Sequence, residues 1–217
     1  MPEWVRFFFD PACPWCYQTS RWARRLQDLG ELHLDWGLFS LDIANAERGG
    51  QDPAQGRSAR SLRTCVAVRE AVGPSAVGDL YAALGARHHE GGQALEDPDT
   101  VEAALGDAGL DLTLQHRAMA HERTWKAVEL EHRALVERTG SFGVPTIVLD
   151  GEQGPAIFGP VISAVPDDAD AVELWLHVSW LVRHASFAEL KRDRLVPDLE
   201  SVRAFRRRRQ AEQAQRP

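Results

Sequence analysis

Two thiols three positions apart, Cys13 and Cys16 in the run Phe9-Asp10-Pro11-Ala12-Cys13-Pro14-Trp15-Cys16, are the side chains best suited to chemistry. On one face of a helix, cysteines at this spacing can make and break a small-ring disulfide. The apolar run Val5 to Phe9 ahead of them reads as a buried strand, and Pro14 to Gly30 behind them reads as a helix. Pro14 suits the first helical position, which places Cys13 at or near the N-cap. There the free amides and the positive end of the helix dipole favour a thiolate over a thiol. Cys16, one turn further in, is expected to be the less reactive partner. A four-thiolate zinc site would need two more ligands at short spacing, and Cys65 is the only other cysteine. A static disulfide would close too short a loop to stabilise the fold much. Redox exchange is the use that remains.

These thiols must be held by a chain of 217 residues with 44% hydrophobic content, enough for a full core or for a core with an inserted subdomain. A net charge of −7 lacks the basic footprint of a nucleic-acid binder. No secretory leader is expected, because Met1-Pro2-Glu3 runs straight into the first strand, and no stretch reaches the length of a membrane span. Three cysteines fit a reducing compartment, and the cytoplasm is the expected location.

Along the chain, Trp22, Leu26 and Leu29 recur at helical spacing up to Gly30, and Leu32, Leu34, Trp36 and Leu38 then alternate as in a strand with His33 turned to solvent. Asn45 to Gly56 reads as a loop. From Pro53 to Thr139 the pattern is helical, with breaks that suggest four helices, the longest from Leu112 to Thr139. Its histidines, His88, His89, His116, His121 and His132, lack metal-site spacing and read as surface or polar-network groups; His121-Glu122 would need a histidine where Trp125 stands. Strand character returns at Ile147 to Leu149, turns at Asp150-Gly151 and runs back through Ala156 to Phe158. Pro145 lies at the entry to this hairpin and is expected to be trans on residue type alone, since few X-Pro bonds are cis. A last helix begins at Asp167-Asp168, and apolar residues around much of its girth suggest burial on more than one side. His177 and His184 share one of its faces and read as structural. The tail with Arg206 to Arg209 reads as a solvated helix end.

Taken together, Phe-x-x-Asp-Pro-x-Cys-Pro-Trp-Cys, the helical block, Gly143-Val144-Pro145-Thr146 and Phe158-Gly159-Pro160 resemble the DsbA-type branch of the thioredoxin superfamily. Ser20-Arg21-Trp22 and Phe187-Ala188-Glu189-Leu190-Lys191-Arg192 are similar to the actinobacterial mycothiol-dependent nitroreductases within it. The resemblance covers positions 5 to 195. It implies an α/β fold, a thioredoxin fold interrupted by an all-helical insertion: residues 1–52 and 140–217 form the thioredoxin part, and residues 53–139 form a cap. It implies that Cys13 is the nucleophile and Cys16 the resolving thiol, and that Pro145 is cis, reversing the expectation from residue type. Pro14, Trp15, Val144, Pro145 and Thr146 then contact substrate, with Trp15 and the cap as an apolar platform. Val144 departs from the Thr of the nitroreductase subgroup, and Pro14-Trp15 departs from the Pro-His pair of the oxidising periplasmic enzymes. The implied function is a cytoplasmic thiol-disulfide oxidoreductase, reduced by mycothiol or another low-molecular-weight thiol and acting on nitroaromatic or similar small acceptors. It needs no tightly bound cofactor, metal, nucleic acid or membrane, and a homodimer is compatible with it. The rival readings are a thiol-conjugate isomerase of the kappa type, which typically carries serine where this chain has Cys13, and a non-catalytic binding or chaperone-like module.

Overall fold

A computed structural model describes residues 2–46, 52–192, 199–201 and 203. Strand β1 (Glu3–Phe9) leads into helix α1 (Pro14–Asp28) and strand β2 (Leu32–Leu38). After the short α2 (Leu41–Ala46) come a 3₁₀ turn at Pro53–Gln55 and helices α3 (Ala59–Ala71), α4 (Pro74–Gly85), α5 (Pro98–Asp107), α6 (Thr113–Ala120) and α7 (Arg123–Thr139). Strands β3 (Thr146–Leu149) and β4 (Ala156–Phe158) and helix α8 (Asp168–Arg183) follow. The sheet order is β2-β1-β3-β4, with β1 and β2 parallel and the β1–β3 and β3–β4 pairs antiparallel. This is an α/β arrangement, with β1 central and the cysteines just beyond its end. A parallel β1–β2 pair needs a crossover, and α1 supplies it.

Helix α1 is clamped from two directions. Trp22 packs on Trp175 of α8 at 6.1 Å between ring centres and donates its indole N–H to the Ala171 carbonyl at 3.1 Å. On another side α4 comes unusually close, because Gly78 and Gly85 leave no Cβ where one would strike the Trp36 and Tyr17 rings respectively. Tyr81, between these glycines, stacks on Phe9 at 3.9 Å and lies 5.6 Å from Trp36. Over the same aromatic cluster Arg24 places its guanidinium 4.3 Å from the Trp36 ring centre and donates to the Gly78 carbonyl at 2.7 Å. The helical block is thus built into the core of the sheet.

It also covers an edge. Strand β2 is outermost in the sheet and would leave main-chain groups unpaired. Glu131 of α7 accepts the Leu38 amide at 3.0 Å, His132 Nδ1 accepts the Ser40 amide at 3.3 Å, and Arg69 of α3 donates to the Trp36 carbonyl at 3.3 Å. Arg6 and Arg69 each reach Glu131 at 2.8 Å, so that one carboxylate joins two strands to two helices.

Three expectations are corrected. The helical block holds five α-helices among the described residues rather than four, because the long helix expected from Leu112 to Thr139 breaks at His121. Its cause is non-local: the buried Arg63 guanidinium of α3 donates to the Ala118, Met119 and His121 carbonyls, and Thr124 also donates to Ala118 and His121. Those carbonyls find side-chain partners, and the chain turns. Helix α8 buries only Ala171, Trp175 and Ser179, a single stripe, while Leu176 and Trp180 are 56% and 62% exposed. The passage Asn45–Gly56 is partly α2 and a 3₁₀ turn, with residues 47–51 outside the described residues, as are Arg206 to Arg209.

Replacing Glu131 with Ala strands the Leu38 amide and removes the acceptor shared by Arg6 and Arg69. Denaturant unfolding of Glu131→Ala is expected to show a loss of about 2–4 kcal/mol, more than a surface ion pair contributes.

Candidate active site

Strand β1 ends at Phe9, and the turn that follows is shaped by Asp10. Its carboxylate accepts the Ala12 amide at 2.8 Å, the Leu41 amide at 2.7 Å and the Ser58 hydroxyl at 3.0 Å, and its main-chain carbonyl accepts the Cys13 amide at 3.0 Å. Asp10 is wholly buried, and burial raises its pKa to about 6, only partly offset by the hydrogen bonds it accepts. Sequence reasoning included Asp10 in a motif but assigned it no role. An acid between a buried apolar strand and a cysteine was the available signal.

Cys13 is the N-cap of α1, with extended backbone at φ −88° and ψ 109°, and its sulfur accepts the Cys16 amide at 3.4 Å. Pro14 follows at the first helical position. The Cys13 sulfur is half-buried and donates to the Val144 carbonyl at 3.7 Å. Cys16 is fully buried under the sheet, with its sulfur 3.7 Å from the Phe8 carbonyl. Burial first, and the nearby Cys13 second, push the Cys16 pKa well above the ordinary thiol value. Cys65 is also fully buried and is pushed up to about 12 by burial, which marks it as an inert core thiol.

The facing loop brings in the residues around Pro145. The Val144-Pro145 peptide is cis, as is Gly159-Pro160. The Gly143 carbonyl accepts from Ser141 and Thr146 hydroxyls at 3.0 and 2.8 Å, and the Pro145 carbonyl accepts the Gly159 amide at 2.8 Å. Thr19, one turn beyond Cys16, donates to the Pro160 carbonyl at 3.2 Å and so ties α1 to this loop. Of the residues singled out in the sequence, Cys13, Cys16 and Val144 meet directly, and Pro14, Trp15 and Pro145 adjoin them in the chain. The Thr146 side chain is buried, and its hydroxyl is engaged within the loop. Trp15 is half-buried, as is Pro14.

The helical block contributes side chains that sequence reasoning did not assign to the site. A π-helical turn at Ala86–Glu90 extends α4 toward the turn before Cys13. From it the buried His89 places Nε2 2.9 Å from the Pro11 carbonyl, so this nitrogen carries the proton and donates. Burial, with the neighbouring His88 second, lowers its pKa to about 3 and keeps the ring neutral. Glu90 accepts the Tyr17 hydroxyl at 2.8 Å, and Tyr17 stacks on His89 at 5.1 Å. A cavity of about 270 Å³ lined by Glu70, Arg117, His121 and Arg123 lies elsewhere, among α3, α6 and α7, and none of these site residues lines it. Among the described residues no three His, Cys, Asp or Glu side chains could hold a metal ion, and no helix is long and apolar enough to cross a membrane.

A family model described as Rv2466c-like, mycothiol-dependent nitroreductase Rv2466c, matches residues 12–192. An uncharacterised Mycobacterium tuberculosis protein, Rv2286c, is 31% identical over 200 residues, covering 91% of this chain and 85% of the relative. Among solved structures, the cytosolic disulfide reductase DsbM of Pseudomonas aeruginosa superimposes with a TM-score of 0.58 at 15% identity, covering 81% of this chain and 99% of that one. A probable DsbA oxidoreductase of Streptomyces coelicolor does so with a TM-score of 0.53 at 17% identity, over 89% and 94%. At such identities these structures bear on fold alone, and the fold is DsbA-like.

The buried histidines set a pH dependence. His132, through the Ser40 bond to Nδ1, and His89 are held neutral, with pKa values lowered by burial to about 4 and about 3, whereas an unfolded histidine titrates near 6.5. Their contribution to stability is complete above about 6.5 and is lost progressively as the pH falls toward those values. Asp10 has the opposite sign, since its raised pKa makes the folded state relatively less stable as pH rises from 3.8 to about 6. Two groups outweigh one. Urea unfolding is expected to show about 2 kcal/mol less stability at pH 5 than at pH 7.5, and His132→Gln is expected to flatten that slope.

Proposed function

Because the chain belongs to the mycothiol-dependent nitroreductase family of Rv2466c, and is an oxidoreductase of thioredoxin fold, we propose that it cycles a Cys13–Cys16 dithiol against mycothiol in the cytoplasm, with nitroaromatic or similar small compounds and disulfides as acceptors. The observation that carries this reading is the unequal placement of the two sulfurs. Cys13 stands half-open at a helix N-terminus, 3.7 Å from the Val144 carbonyl, while Cys16 is sealed beneath it. An entering molecule meets Cys13 first.

With a disulfide acceptor, the Cys13 thiolate attacks one acceptor sulfur and the other leaves as a thiolate that takes up a proton. Cys16 then loses its proton and attacks the Cys13 sulfur, releasing the second acceptor sulfur and closing the Cys13–Cys16 disulfide. The acceptor gains two electrons, and the dithiol loses them. A first mycothiol thiolate opens that disulfide at Cys13 and frees Cys16. A second attacks the bound mycothiol sulfur, releases mycothiol disulfide and restores Cys13. This cycle asks for no tightly bound cofactor. The amide of Cys16 and the positive end of the α1 dipole favour charge on the Cys13 sulfur through each exchange. Val144 and Pro145 would align an acceptor beside Cys13, Thr146 would hold their loop, and Pro14 and Trp15 would form the rim of the site. Residues 53–139 would act as its cap.

Turnover of an acceptor with mycothiol, glutathione and thioredoxin supplied separately tests the reductant. Mycothiol is expected to sustain turnover at least ten-fold faster than glutathione, and a preference for glutathione or thioredoxin would remove the mycothiol assignment. In Cys16→Ser, intact-mass measurement is expected to find one mycothiol held on Cys13, because nothing remains to resolve it. Failure to trap any small thiol there would remove the dithiol cycle itself.

A further inference from the structure

Tyr81 is a buried polar group that the cycle above leaves unused. It comes from α4, in the middle of the helical block, and its side chain is completely buried. Its ring is fixed on Phe9 at 3.9 Å and bordered edge-on by Tyr17 at 6.4 Å and Trp36 at 5.6 Å. Its hydroxyl makes no well-formed hydrogen bond to the protein, an arrangement that is costly for a buried O–H and therefore rare. A phenylalanine would fill the same aromatic space without that cost. The hydroxyl lies beside Cys16 and the Ser20 hydroxyl, near enough to Cys16 for each group to act on the other: Tyr81 favours the charged form of Cys16, against the larger effect of burial.

We propose that Tyr81 is a catalytic residue of the dithiol cycle, whose hydroxyl donates a hydrogen bond to the Cys16 sulfur at the moment that sulfur becomes negatively charged. The inference rests on the reading of Cys13 and Cys16 as a cycling dithiol. When a thiolate attacks Cys13, the Cys13–Cys16 bond breaks and its electron pair goes to Cys16. That sulfur is sealed from water, the nearby Phe8 carbonyl cannot donate to it, and the Asp10 main-chain amide favours its charge less than a side-chain donor would. The Tyr81 O–H is such a donor. The phenol keeps its proton, since burial and the adjacent Cys16 hold its pKa well above the ordinary tyrosine value, and Cys16 afterwards takes up the proton that the attacking thiol released to solvent. In the closing direction the same bond assists Cys16 as it loses its proton and attacks. Because the stabilised charge exists between two neutral end states of Cys16, the hydroxyl speeds opening and closing alike and leaves the equilibrium between them unchanged.

The test is Tyr81→Phe, assayed with 2-mercaptoethanol as the attacking thiol on oxidised protein, and by closure of the preformed Cys13 mixed disulfide. A hydrogen bond to a charged group corresponds to a rate change on the order of ten-fold or more. Both rates are expected to fall by about that factor, while their ratio stays at the wild-type value and the thermal midpoint stays at or above it. Unchanged rates, a slowing of one direction only, or a variant that fails to fold would each overturn the proposal, the last by showing that the hydroxyl is a structural requirement. Wild-type protein that forms no Cys13–Cys16 disulfide in the same assay would instead remove the dithiol reading.

Discussion

Water reaches one sulfur of the dithiol far more readily than the other. Cys16 lies at zero exposure beneath strand β1, and Cys13, one helical turn earlier, sits at the surface end of the same helix. In a medium that disfavours charge, a thiolate at Cys16 is costly unless a donor meets it, whereas Cys13 has the helix amides before it. This difference assigns the order of events in any exchange. It requires that β1, α1 and the turn between them be held together tightly, and the Asp10 carboxylate, anchored to Ala12, Leu41 and Ser58, does much of that holding.

The helical block is part of the same enclosure. Without side chains at Gly78 and Gly85, α4 approaches α1 and β2 closely enough to place Tyr81 next to Cys16. The π-helical turn after it carries His89 to the Pro11 carbonyl and Glu90 to Tyr17. At the far edge of the sheet, Glu131 and His132 of α7 take the main-chain amides of Leu38 at the end of β2 and of Ser40 just beyond it. A block interrupting the sheet in sequence therefore completes it in space, and the dry surroundings of Cys16 depend on it.

Local patterns made β1, α1, β2, the hairpin and the thiol pair legible, because each is signalled by neighbours in the chain: alternation at Leu32 to Leu38, Pro14 after Cys13, Asp150-Gly151 between strands. The break at His121 was not legible, since it depends on Arg63 about sixty positions earlier. Nor was the exposure of Leu176 and Trp180 on α8, where an apolar pattern would ordinarily mean burial. Asp10 has only its position between an apolar strand and a cysteine to mark it, and Tyr81 and His89 carry no local mark of their place in the site. They acquire it through contacts between elements far apart in sequence, and their burial became visible only when those elements were assembled.

The unequal access of the two sulfurs can be measured directly by mass-resolved alkylation of the reduced, folded protein across a range of pH. Rapid labelling at Cys13 is expected from mildly acidic pH upward, with Cys16 and Cys65 protected until the protein is unfolded. Labelling of Cys16 at a rate equal to or above that of Cys13 in the folded protein would contradict the account at its centre.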